Sequence, residues 1–103
     1  MRRTYSQVKI DRIVKTITII GDQYNLLIFF ELTKFGEKSF NELKRMTQIN
    51  AVTLTRKLRF LEEEKLIQNR CSGKEVLYSL TPKATKLKPI IEDISSTIEN
   101  EGL

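Results

Sequence analysis

Apolar positions along the chain recur at intervals of three and four over most of its length and alternate over one stretch near residue 70. From Ser6 to Ile20 they fall at Val8, Ile13, Val14, Ile17 and Ile20, a spacing that predicts a helix, although the run TITII is β-branched and suits a strand on local preference. Gly21 ends this segment. Asp22 is placed to cap the next, YNLLIFFEL, which is apolar nearly all round and therefore reads as a central buried helix up to Phe35, stopped by Gly36. Glu37 to Phe40 is short and extended in character. Ser39 or Asn41 then caps a brief helix, ELKRMT, with Leu43 and Met46 as its apolar stripe.

After the turn QIN, Asn50 caps a helix expected over about 50–64. It places Leu54, Leu58 and Leu61 on one face and Val52, Arg56, Arg59 and Glu63 on the opposite one. LIQNRC and EVLYSL alternate on either side of Ser72-Gly73-Lys74 and predict a β-hairpin over about 67–80. Thr81-Pro82 supplies a cap and a proline at the first helical position, opening one last helix with Leu87, Ile90 or Ile91, Ile94 and Ile98 as its stripe. No repeat, low-complexity stretch or linker divides the chain, so residues 1–103 are expected to form a single domain.

Helix, helix, short strand, helix, tight turn, basic helix and hairpin, in that order, make a winged helix-turn-helix, mainly α with a small β-hairpin. Charge sharpens this reading. The net charge is +5 and the pI about 9.5, which favours polyanionic partners. Between Lys44 and Arg59 lie Lys44, Arg45, Arg56, Lys57 and Arg59 with no acidic residue, whereas after Lys88 only Glu92, Asp93, Glu99 and Glu101 carry charge. The basic middle is suited to double-stranded DNA and the acidic end is not.

The candidate DNA contacts follow from residue chemistry. Asn50, Thr53 and Thr55 are short enough for the helix start to approach DNA, Val52 can pack on a thymine methyl, and Arg56 or Arg59 can grip guanine or phosphate with a forked guanidinium. Lys44 and Arg45 lie on the preceding helix. Arg70 and Lys74 flank the hairpin turn, where they can meet backbone phosphate or the minor groove, although a charged turn tip also serves solubility.

Enzymatic chemistry finds little support. There is no histidine, and Cys71 is the single cysteine, which removes Ser-His and Cys-His pairs, histidine-bound metals and intrachain disulfides. Glu62, Glu63 and Glu64 are helix neighbours that fan outward, so they read as a solvated helix end, and neither a metal nor a cofactor is expected. No apolar run reaches the roughly 18 residues of a membrane span, and MRRTYSQVKIDR lacks the apolar stretch of a signal peptide, so no membrane partner and a cytoplasmic location are expected. No residue pattern points to a small-molecule effector.

The segments IGDQYNLLIFFEL, SFNELKRM, INAVTLTRKLRFLEEEKLI and YSLTPKA together resemble the HxlR-type transcriptional regulators within the MarR-like winged-helix group. The resemblance spans about residues 17–87. Gly21 and Tyr24 match its turn and aromatic before the central helix, Asn50 its cap, and Leu54, Thr55, Lys57 and Leu58 its recognition-helix core. It implies sequence-specific DNA binding as a homodimer held by the terminal helices. The chain departs from the pattern at Tyr24, where tryptophan is usual, near Lys65, where glycine is usual, and in its short wing. Some members sense oxidants through a cysteine near the N-terminus, a position that Cys71 does not match.

Self-association is also argued by the terminal stripes, Val8, Ile13 and Ile17 at one end and Leu87, Ile91, Ile94 and Ile98 at the other, which need a partner surface. A two-fold axis would set two recognition helices about 34 Å apart, although the two stripes can also pack within one chain. Two other classes of function remain open. A winged helix can act as a protein-interaction module in a larger assembly, and Phe60, near the basic face, favours that; an RNA-binding domain would want exposed aromatics.

Overall fold

The computed structural model describes residues 7–101, with the side chains of 94, 95 and 98–101 outside the description. The first helix, α1 (Gln7–Gly21), carries the TITII run in helical form; its expected start at Ser6 lies outside the described residues. The Thr16 and Thr18 hydroxyls donate to the carbonyls of Arg12 and Val14, both at 2.8 Å, which satisfies them within the helix. Of its apolar side chains only Ile19 is buried.

The chain then bends by 81° into α2 (Gln23–Phe35). Asp22 caps α2 by accepting from the backbone N–H groups of Tyr24 and Asn25, both at 3.0 Å, and the buried Asn25 amide donates to the Ile19 carbonyl at 3.1 Å. These bonds satisfy helix ends that the sharp corner would otherwise leave bare. Ile28, Phe29 and Leu32 form the centre of the core. Gly36, at φ 74°, ends α2 in a backbone conformation that side chains disfavour.

Residues Lys38–Ser39 form a strand, β1, that pairs antiparallel with the far strand of the hairpin made by β2 (Ile67–Ser72) and β3 (Glu75–Leu80), so the sheet has three strands in the order β1-β3-β2. Ser39 caps α3 (Phe40–Thr47) in a capping box: its hydroxyl accepts from the Glu42 N–H and Glu42 accepts from the Ser39 N–H. Asn41 is exposed and is not the cap. Leu43 is fully buried, but Met46, expected beside it, is 46% exposed, because the buried face of α3 runs from Leu43 to Thr47, one turn on, and leaves Met46 to one side. Gln48, at φ 62°, and the Thr47 hydroxyl, donating to Leu43 O and accepting from Ile49 N, hold the turn, and Ile49 is buried.

Asn50 caps α4 (Ala51–Glu63) through the Thr53 N–H at 2.9 Å, and Leu54, Leu58 and Leu61 are all buried. β2 (Ile67–Ser72) and β3 (Glu75–Leu80) pair from Ile67↔Leu80 to Ser72↔Glu75, leaving Gly73-Lys74 as a two-residue turn. Gly73 at φ 63° in the first central position is the choice that suits a type II′ turn.

The expected single last helix is two. Thr81 caps α5 (Pro82–Thr85), its hydroxyl accepting from Ala84 N and donating to Lys65 O at 2.7 Å. α6 (Lys88–Glu101) begins afresh. The cause is Pro89: a continuous helix needs an N–H at position 89 to bond the Thr85 carbonyl, and proline has none and sets its ring against that carbonyl instead. Ile91 is 1% exposed and belongs to the core, so its assignment to a dimer surface is corrected, and Leu87 also packs partly against the core. Side chains of Ile94 and Ile98 lie outside the described residues.

The division of α4 into two faces gives a direct test. Leu58→Ala should lower unfolding free energy by about 2–5 kcal/mol through cavity formation, while Val52→Ala should change it by about 0.5 kcal/mol or less. Urea denaturation followed by circular dichroism reads both, and equal losses would mean that the helix is rotated from the position described.

Candidate nucleic-acid interface

Because three leucines hold α4 on the core, the row opposite them is turned to solvent. Val52 is 69% exposed, and Thr55, Arg56 and Arg59 are exposed with it. The Thr55 hydroxyl donates to Ala51 O at 2.8 Å, which keeps the side chain close to the helix and leaves its oxygen able to accept. Thr53 is half-buried, and the Asn50 side-chain oxygen is engaged as the cap. Val52, Arg56, Arg59, Phe60 and Glu63 line a shallow groove of about 620 Å³ along the helix. Phe60, 37% exposed, forms its apolar end.

The basic residues divide into two groups. Lys44, Arg56, Arg59 and Lys74 are exposed and form no ion pair among the described residues. Arg45 is exposed on α3, where its charge and that of Lys38 help lower the Glu42 carboxyl, chiefly held down by the Ser39 N–H. Lys57 is turned inward and binds Asp22 at 2.9 Å. Arg70 is closed on Glu37: its Nε donates to Oε2 at 2.8 Å and its Nη2 to Oε1 at 2.7 Å. The guanidinium thus ties the segment before β1 to β2, with β3 between them. This bidentate bond holds the Glu37 carboxyl below the ordinary glutamate range and raises the Arg70 guanidinium.

The three glutamates at the end of α4 do not share one fate, contrary to the expectation of a solvated helix end. Glu62 accepts from the Asn69 amide on β2, and Glu64 pairs with Lys15 of α1 at 2.7 Å. Glu63 alone is exposed. They tie the helix to the wing and to α1. Among the described residues no cluster of acidic or cysteine side chains is arranged to hold a metal ion, and Cys71 is exposed on β2 opposite Val76.

A second surface lies on α1. Ile13, Val14 and Ile17 are 48–64% exposed and share one face of α1, and Ile90 of α6 is also exposed; Val8, expected on the same stripe, is 59% exposed but lies half a turn round the helix from Ile17. Val14 and Ile90 strengthen the stripes read from the sequence. No single described helix is long and apolar enough to cross a membrane. The partners of the basic groups, Asp22 for Lys57 and Glu37 for Arg70, lie 35 and 33 residues away and carry no local signal.

Comparison with known proteins agrees with this geometry. The model of a family described as HxlR-like helix-turn-helix matches residues 19–102. An HTH-type transcriptional regulator of Halalkalibacterium halodurans is 34% identical over 83 residues, covering 77% of this chain and 74% of its own. The oxidized redox regulator HypR superposes with a TM-score of 0.75 at 28% identity, over 85% of this chain and 94% of that one. A Porphyromonas gingivalis W83 structure described as of the MarR family gives 0.74 at 28% identity, over 97% and 96%.

The Arg70 clasp generates a pH prediction. Since the folded Glu37 carboxyl is held low, its contribution is present at neutral pH and is lost as pH falls through the acid range below the ordinary glutamate value. At neutral pH the β2–β3 amides of Glu37→Gln should exchange with deuterium faster than those of the wild type, and the gap should close on acidification. A gap that is absent at neutral pH, or constant with pH, would mean that the pair does not brace the wing.

Proposed function

The chain belongs to the HxlR-like helix-turn-helix family, and from that premise we propose that it is a homodimeric, sequence-specific regulator that reads duplex DNA with α4 in the major groove. Its family and relatives are transcriptional regulators, not enzymes, and the fold is a winged helix-turn-helix. The observation that carries the groove assignment is the outward row of α4. Val52, Thr55, Arg56 and Arg59 are exposed together, and both arginines lack an ion pair among the described residues. A helix start with short side chains followed by two long cations matches a groove whose floor offers methyls and acceptors and whose walls are phosphate.

Around that helix, Lys44 and Arg45 are assigned to flanking phosphate and Lys74 at the wing tip to backbone or minor groove. Asn50 caps α4 and so aims its positive end, with Thr53, toward the DNA. Arg70 contributes by holding the wing through Glu37. In this reading residues 1–103 work as one domain in the cytoplasm, without a cofactor.

The exposed α1 stripe supports the dimer. Three large apolar side chains, Ile13, Val14 and Ile17, at 48–64% exposure on one face of a helix are more than a soluble surface usually leaves open. A two-fold pairing through α1 and α6 covers them and presents two α4 helices to a palindromic site. The acidic α6, repelled by phosphate, stays on the far side. The competing reading, a protein-interaction module, draws on Val52 and Phe60, whose apolar surface lies within the α4 groove.

Two experiments test these assignments. Arg56→Ala should cost about 1–3 kcal/mol in binding a duplex selected by the wild-type protein from a random pool, with relaxed base preference. A wild type that selects no duplex would favour the interaction module; an Arg56→Ala variant with unchanged selectivity would remove that residue from base reading. Ile13→Asp combined with Ile17→Asp should give a folded monomer in analytical ultracentrifugation that retains only weak, salt-sensitive DNA binding. A wild type that sediments as a monomer, free and on DNA, would overturn the dimer.

A further inference from the structure

Lys57 stands in the middle of the basic run yet occupies a different environment from its neighbours. Its side chain is 26% exposed, and its ammonium donates to Asp22 Oδ2 at 2.9 Å while lying 5.7 Å from the centre of the Tyr24 ring. The other oxygen of the same carboxylate, Oδ1, accepts from the Tyr24 and Asn25 backbone N–H groups at the start of α2. One carboxylate therefore caps α2 and grips α4, at the corner where α1 turns into α2. Beside this contact α4 is not closely packed: a recess of about 300 Å³, lined by Thr18, Ile19, Asp22, Asn25, Arg56 and Phe60 as well as Lys57, separates the helix from the corner. On this side the Lys57–Asp22 pair ties α4 to the corner across that recess.

We propose that Lys57 is a positioning residue of the DNA-reading helix: its ammonium, held by Asp22 over Tyr24, sets the angle of α4 on the α1–α2 corner and makes no contact with DNA. The proposal rests on α4 being the reading helix. Arg56 is the next residue along, and it lines the same recess. A helix held on the leucine side alone can roll toward or away from the corner, which shifts the long Arg56 and Arg59 side chains relative to base edges. Because Asp22 also stands at the end of α1, the device joins the proposed dimer helix to the reading helix.

The proposal makes an unusual sign prediction. Removing a negative charge from a DNA-binding protein ordinarily strengthens binding, by electrostatics alone. Asp22→Asn keeps an N-cap residue in place but removes the ion-pair partner, and it should instead weaken binding to the selected duplex by about tenfold. Lys57→Gln should weaken it similarly with no change in the dependence of log K on log salt, whereas loss of a phosphate contact lowers that slope by about 0.9. The double variant should be no worse than either single one, and Lys57→Arg, which can still pair with Asp22 and stack on Tyr24, should restore binding. Circular dichroism establishes that each variant is folded. If Asp22→Asn binds as well as or better than the wild type, or if Lys57→Gln lowers the salt slope as loss of a DNA contact would, the positioning role is wrong. If the wild type selects no duplex at all, the failure is that of the DNA reading itself.

Discussion

The burial of Leu54, Leu58 and Leu61 is the constraint from which the rest of the molecule follows. All three are at most 2% exposed, and they meet a core built on Ile28, Phe29 and Leu32 of α2. A helix anchored by one such row has no freedom over which residues face outward. The positions of Val52, Arg56 and Arg59 are in that sense a by-product of hydrophobic packing, and the DNA-reading face assigned to them costs the fold no buried charge. α3, the turn at Gln48 and the wing are arranged around that helix.

Hydrophobic packing sorts apolar residues, but a different rule sorts the charged ones. Lys57 and Arg56 are neighbours in sequence and chemically similar, yet one is held by Asp22 and the other faces solvent. The same division separates Glu64, paired with Lys15, from exposed Glu63, and Arg70, clasped by Glu37, from Lys74 at the wing tip. A basic run thus holds both surface charges and structural ties, and its net charge overstates the charge offered to a polyanion.

This sorting explains what was legible in the sequence. Periodicity places the buried leucines, and local chemistry places the caps at Asp22, Asn50 and Thr81 and narrows that of α3 to Ser39 or Asn41, because both depend on residues within a few positions of one another. The partners of Lys57 and Arg70 were not legible, since each lies more than thirty residues away and any surface acid would have looked the same. The pairing of β1 with β3 was hidden for the same reason: a two-residue strand has no period. The break between α5 and α6 is a different kind of miss. Pro89 carries the signal locally, but the isoleucine stripe runs through it and Pro82 already supplies a helix start.

Ser39 is at once the last residue of β1 and the cap of α3, with no loop residue between. The strand and the helix are therefore joined without a hinge. With α3 held on the core by Leu43, sliding β1 by one residue against β3 would move Ser39 away from Leu77 and pull the capping hydroxyl out of reach of the Glu42 N–H, so the sheet register and the helix start meet at the same buried side chain. The sheet that carries the wing and the first helix of the helix-turn-helix are therefore coupled through a single residue, with no loop between them to take up a change in register.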